Sequence, residues 1–329
     1  MAVMNRTNIA RSIILAILLI TLLLVPVIVQ SSYILHLFII TGLAIILSTN
    51  SRLMIKGGMW FFAQAAFYAI GAYSLLLFRW KLGLNFWVAF PLAGVAAGFI
   101  ALCLGYATSR VKEIYFCIIS VAFSEVIRLT IIKTPFLGSG RAVSCPPPTP
   151  FFGIEFVSKV QYYYFIFILV NITLVGLYMI EKSRVGLILN TIAESEFLAQ
   201  SIGINPVSYR IATMSLCCFF IGVAGAFYAP YIIVLGPTSF TVTLSMMVMM
   251  YAIVGGMGSI SGPVIGAAFL TVLPEFLRFG AGLKNILFAA IVLLTLFFMP
   301  DGIISLPRIV RKGISCRSHK GGGKKPELW

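Results

Sequence analysis

Charge, acid and histidine are scarce in this chain. Charged residues make up 10% of the 329, Asp and Glu together number 9, and there are two histidines. A water-soluble domain carries about a quarter charged residues, so most of this surface is made for lipid or for other protein. The shortage also removes whole reaction classes. No nucleophile stands near a base, no two carboxylates have hydrolytic spacing, and no cluster of His, Cys and acid suggests a metal. The six cysteines form no framework. Cys103, Cys117, Cys217 and Cys218 lie in apolar runs, Cys316 lies in the tail, and only Cys145 falls in an expected external loop, so no disulfide is expected. Gly321-Gly322-Gly323-Lys324-Lys325 lacks the strand, the glycine spacing and the Ser/Thr of a phosphate-binding loop, and reads as a tail. The chain is expected to be no enzyme and to need no cofactor or metal.

What it has in abundance is apolar sequence, with 60% hydrophobic residues. Its net charge of +15 does not point to nucleic acid, because Lys and Arg are scattered among apolar runs or collected in the tail, as membrane topology requires. Arg6 and Arg11 precede the run Ser12 to Val29, which is longer than a signal core and lacks a small-x-small cleavage site, so a retained span is expected. Further apolar runs cover 33–48, 59–78, 84–108, 114–132, 161–180, 211–235, 242–277 and 285–299. A helix over 242–277 would be about 50 Å long against a hydrocarbon core of about 30 Å. It must break, and Gly255-Gly256-Met257-Gly258-Ser259-Ile260-Ser261-Gly262-Pro263 is where it does.

The result is an all-α integral membrane protein of about ten segments. Two of them, 59–78 and the one interrupted at 255–263, are candidates for broken or re-entrant structure. With ten segments, Arg6, Arg11, Arg52, Lys56, Arg110, Lys112, Lys182, Arg184, Arg210 and the basic tail share one side. Arg79, Lys81, Lys133, Arg141, Lys159, Arg278 and Lys284 take the other. The excess puts both termini in the cytoplasm. The expected division is a cytoplasmic N-terminus at 1–11, a transmembrane domain at 12–307 and a basic cytoplasmic tail at 308–329. Within the domain, 133–160 is the external loop and 181–210 a cytoplasmic one.

Three places invite a functional reading. In the polar stretch 181–210, Thr191 to Ile202 reads as one short helix with Ile192, Phe197, Leu198 and Ile202 roughly on one side, closed by a left-handed Gly203. It is either an amphipathic helix resting on the membrane or a knob for another protein. Gly57-Gly58-Met59 and Gly255-Gly256-Met257, with Gly258 and Gly262 beyond, both lead into small-residue helices. They are either breaks along a translocation path or sites of close helix packing. Glu125 and Arg128, the formal charges inside an expected span, are three residues apart and pair on one helix face, as a structural pair or as a substrate contact. His36 reads as a hydrogen-bonded packing residue.

Five stretches in order carry a resemblance: FAQAAFYAIGAY at 62–73, RVKEIYFCIISVAFSEVIRL at 110–129, the run 183–229, VGGMGSISGPVIGAAFLTVLPEFLR at 254–278 and MPDGIISL at 299–306. Together they resemble the permease family of branched-chain amino acid ABC importers. The resemblance implies one of two membrane subunits in a bacterial inner membrane, working with a second permease subunit, cytoplasmic ATP-binding subunits and an external substrate-binding protein. It makes 181–210 the coupling loop, with Glu194, Glu196, Phe197, Ala199 and Gly203 at the contact with the ATPase. The implied cargo is branched-chain amino acids, with urea, short amides or other amino acids as alternatives. A secondary carrier or channel is the other class, for which more intramembrane acids are expected. After TPF the chain reads LGSGRAVSCPPPTP, unlike the family's usual Gly-Gly-Ser-Asn-Gly type of loop.

Overall fold

The computed structural model describes residues 31–276, apart from 109, 110, 112, 138, 139 and 150–157, together with isolated positions at 26, 289, 290, 292–295, 297, 302 and 303. The expected segments 1–11 and 308–329 and, those isolated positions aside, the expected spans 12–30 and 285–299 lie outside the described residues. Within them the helices in chain order are α1 (Ser32–Lys56), α2 (Gln64–Lys81), α3 (Phe86–Thr108), α4 (Glu113–Lys133), α5 (Lys159–Lys182), α6 (Arg184–Glu194), α7 (Glu196–Ser201), α8 (Pro206–Ile232), α9 (Val242–Gly255) and α10 (Ser261–Phe276).

Among the described residues six segments are long and apolar enough to cross a membrane: α1, α3, α4, α5, α8 and Pro237–Gly255, which ends in α9. The count of about ten is not reached there. The expected span 59–78 is α2, which starts only at Gln64 and buries most of its first three turns in protein. The stretch after the break is α10, which starts at Ser261 and is described as far as Phe276.

α8 is the spine, packed along α2 and α3 and touching α1. Small residues let these helices approach. A Cβ at Gly71 would overlap the Gly222 carbonyl, one at Gly225 the Tyr68 carbonyl, and one at Gly94 the Val223 side chain. α4 is peripheral, with Ile114, Tyr115, Ile118 and Val126 exposed as a lipid-facing helix requires.

The two ends of the bundle differ. At one end, Val143–Ser144 (β1) pairs antiparallel with Val234–Leu235 (β2), Val143 opposite Leu235. Arg79 donates to the carbonyls of Pro146 at 2.6 Å and Pro147 at 2.9 Å, and Trp87 Nε1 to that of Thr149 at 3.2 Å. These bonds pin the expected external loop. Cys145 is a free thiol buried there, and burial pushes it up to about 12 against the nearby Arg79 charge. His36 Nδ1 is hydrogen-bonded to the Tyr231 hydroxyl at 2.5 Å at this end.

The opposite end corrects one expectation. Residues 49–58 read as a loop after a span ending at 48, but α1 continues to Lys56 with Ser48, Thr49, Asn50, Ser51 and Arg52 all buried. Local bonds make this tolerable: Thr49 Oγ1 donates to Ile45 O at 2.6 Å, Asn50 Nδ2 to Ile46 O at 2.7 Å and Ser51 Oγ to Leu47 O at 2.9 Å. Hydropathy cannot register a polar turn whose partners lie in its own helix.

Candidate functional site

The end of α1 is the first break. Gly58 N donates to Ile55 O at 2.9 Å and Met59 N to Met54 O at 3.0 Å, with Gly58 at φ +75°, a closure that favours glycine. The chain then runs irregularly to Ala63, with Met59, Phe61 and Ala63 buried. Neighbouring side chains satisfy backbone N–H groups here: Phe62 N donates to Ser120 Oγ of α4 at 3.0 Å, and Ala65 N to Ser245 Oγ of α9 at 2.9 Å. Irregular backbone is tolerated at membrane depth only when covered in this way. A cavity of about 50 Å³ borders the break, lined by Gly58, Met59, Thr108, Phe116, Arg210 and Met214.

The second break falls between α9 and α10, inside the stretch whose length demands one. Gly256 holds φ +107° and ψ 126°, a conformation closed to side chains other than hydrogen, and its N–H donates to Ala252 O at 3.2 Å and Ile253 O at 3.1 Å. A Cβ at Gly255 would overlap the Gly262 carbonyl, one at Gly262 the Gly256 carbonyl, and one at Gly302 the Gly256 backbone. Gly302, from the MPDGIISL stretch, thereby lies against the break. Gly258 faces open space.

Arg52 joins this break to the rest. It is 2% exposed, its two Nη atoms grip Glu181 Oε2 and Oε1 at 2.9 Å each, and its Nε donates to the Met257 carbonyl at 2.8 Å. Lys56 Nζ adds a further bond to Glu181 Oε1. A bidentate, charge-assisted pair of this kind is the strong variety of hydrogen bond. Sequence reasoning placed Arg52 and Lys56 only as topology markers and gave Glu181 no role. An arginine just before a glycine pair and an acid just after an apolar span were visible, but their pairing across 129 positions was not.

Glu181 lies in the last turn of α5, and the next corner is tight. Ser183 caps α6 by accepting from Val185 N at 3.2 Å, and a Cβ at Gly186 would overlap the Glu181 carbonyl. α6 buries Leu189 and Ile192, and a Cβ at Gly57 would lie 3.2 Å from Leu189 Cδ2, so α6 rests on the first break.

The expected single helix over 191–202 is in fact two. α6 stops at Glu194, Ser195 takes an extended conformation, and its hydroxyl caps α7 by accepting from Leu198 N at 3.4 Å. A serine favours capping over helix interior, which is why the break falls there. The split also divides the expected apolar side. Ile192 and Ala199 are buried, whereas Phe197, Leu198 and Ile202 stand 78%, 61% and 69% exposed. α7 closes with Gly203 N on Gln200 O at 2.9 Å and Ile204 N on Ala199 O at 3.0 Å, Gly203 at φ +81° in open space.

Of the two acids near the contact, Glu194 is exposed, and Glu196 Oε2 accepts from Arg210 Nη1 at 3.2 Å. Arg210 Nε also donates to the Gly57 carbonyl, at a long 3.4 Å. The structure therefore brings Glu196, Gly57, Gly58 and Arg210 together at one break, and Gly255, Gly256 and Gly262 with Arg52 at the other. Glu125 and Arg128 are not part of this assembly. They pair on α4, Arg128 Nε donating to both Glu125 oxygens at 3.0 Å.

The motif order agrees with what the comparisons show. The model of the branched-chain amino acid transport system / permease component family matches residues 27–299. The chain belongs to that family. Among curated proteins it is 25% identical over 275 residues to the high-affinity branched-chain amino acid transport system permease protein LivM of Salmonella typhimurium, a match covering 76% of this chain and 65% of the relative. The LivM of Escherichia coli is likewise 25% identical over 294 residues, covering 82% of this chain and 69% of the relative. The chain thus spans about two thirds of the length of the relatives it matches. No solved structure matches.

Proposed function

We propose that the chain is the membrane-spanning permease subunit of an ATP-driven importer of branched-chain amino acids in a bacterial inner membrane. It works beside a second permease subunit, takes cargo from an external binding protein and is driven by cytoplasmic ATP-binding subunits. Glu194, Glu196, Phe197, Ala199 and Gly203 form the contact with the ATPase, and the two glycine breaks flank the translocation path. The observation that carries this is α7: a short, doubly capped helix presents Phe197, Leu198 and Ile202 to the outside at the bundle end that holds Arg52, Lys56, Lys182, Arg184 and Arg210. Positive charge marks the cytoplasmic side, which is where a motor docks. Both termini share that side.

In this reading transport is alternating access. ATP binding draws the motor pair together, displaces α6–α7 and turns the path between the two permease subunits from one face to the other. ATP and the loaded binding protein each bias the two states only through different affinity for them. No residue of this chain performs chemistry on the cargo.

Gly203→Val tests the reading, because a β-branched residue resists the left-handed conformation that ends α7. The expected outcome is a normally inserted subunit with reduced uptake of leucine, isoleucine and valine and reduced co-purification of the ATPase. Wild-type values for both would make α7 a membrane-surface element. Loss of urea uptake in a deletion strain that still takes up the three amino acids would overturn the cargo.

A further inference from the structure

Each glycine break is held by an arginine that also holds a glutamate bordering the coupling segment. At the first break Arg210 links the Gly57 carbonyl to Glu196 at the start of α7. At the second Arg52 links the Met257 carbonyl to Glu181 at the end of α5, two residues before the cap of α6. The same chemistry recurs on two unrelated helices, with the guanidinium Nε on a break carbonyl and outer nitrogen on a coupling-segment carboxylate, both Nη atoms for Arg52 and Nη1 for Arg210.

Resting on the importer reading above, we propose that Arg52 and Arg210 are positioning residues that pass displacement of α6–α7 to the two breaks. The geometry permits little slack. Glu181 and Glu196 bracket α6, Gly186 seats α6 against the Glu181 carbonyl, and Leu189 seats it against Gly57. A push on α7 therefore reaches both carboxylates as one body. The two links then behave differently. Arg52 is buried and bidentate, and such a bond holds its geometry when its partner moves. Arg210 makes longer bonds, and its partner Glu196 is 44% exposed, so water competes for this link and it yields first. The second break is thus driven, while the first is released.

The test uses the whole complex in proteoliposomes, with its ATP-binding subunits and binding protein, and reads labelled leucine moved per ATP hydrolysed. Arg52→Lys keeps the charge but loses the planar fork and the Nε bond to Met257. It is expected to lower leucine per ATP about tenfold, and Arg210→Gln about threefold, with ATP hydrolysis within about twofold of wild type. A purely structural role would instead lower hydrolysis and uptake in proportion to the complex assembled, and that result overturns the proposal. Should Arg52→Lys not assemble, Arg52→Gln combined with Glu181→Gln removes both buried charges together and carries the same expected loss. Variants that couple as well as a coupled wild type overturn the links alone. A wild-type complex whose uptake is indifferent to ATP overturns the importer reading and the links with it.

Discussion

The break after Gly57-Gly58-Met59 borders a cavity of about 50 Å³ and touches its neighbours through side chains, whereas the one after Gly255-Gly256-Met257 is closed backbone on backbone. Both begin with the same three residues, and in both the second glycine has a positive φ. The difference lies in what the first glycine meets. At Gly57 a Cβ would lie beside the ends of Leu189 and Met59, which are flexible; at Gly255 it would strike the Gly262 carbonyl, which is not. Identical local sequence therefore makes one joint packed by side-chain ends and one closed by backbone contact. Their arginines follow suit, the loose break having the long, partly solvated link and the tight break the buried fork.

Removing the fork should have the largest effect. Arg52→Ala leaves Glu181 without its main partner at a site where the pair is mostly buried, and losing one member of a buried pair costs about 3 kcal/mol or more. The expected result is a sharp fall in inserted subunit and a clearly lower melting temperature in detergent. Gly262→Ala comes next, at about 2 kcal/mol, because the new Cβ forces α10 off the Gly256 backbone. Gly57→Ala, by contrast, asks only that a leucine end shift and should cost less than about 1 kcal/mol. Equal melting temperatures for these two glycine variants would break the comparison between the breaks. The smallest effect belongs to Glu125→Gln. That pair is half exposed on peripheral α4, away from both breaks, and its loss should change melting by about 0.5 kcal/mol or less and leave uptake intact.

Much of this was legible beforehand, for reasons that can be named. The break at 255–263 follows from the length of an apolar block set against a bilayer, and the closure at Gly203 from glycine's access to positive φ. The pairing of Glu125 with Arg128 follows from helical spacing alone. Two readings failed, one by taking polarity for exposure and one by missing a helix break. Thr49 to Arg52 read as a loop because nothing local distinguishes a polar turn facing water from one facing protein. Phe197, Leu198 and Ile202 read as one face with Ile192, but a serine that caps a new helix rotates everything after it.

By itself, then, the sequence determined an all-α membrane protein, its family, the break at 255–263 and the closure at Gly203. These depend on composition, run length and backbone conformation, all of which are local. Only the tertiary structure decided which glycine break is tight and which is loose, and that Arg52 holds Glu181 and Arg210 holds Glu196. Those outcomes depend on what approaches from α5, α6, α8 and α10, and a guanidinium selects its carboxylate by distance and desolvation, for Arg52 and Glu181 across 129 positions, neither of which is written along the chain.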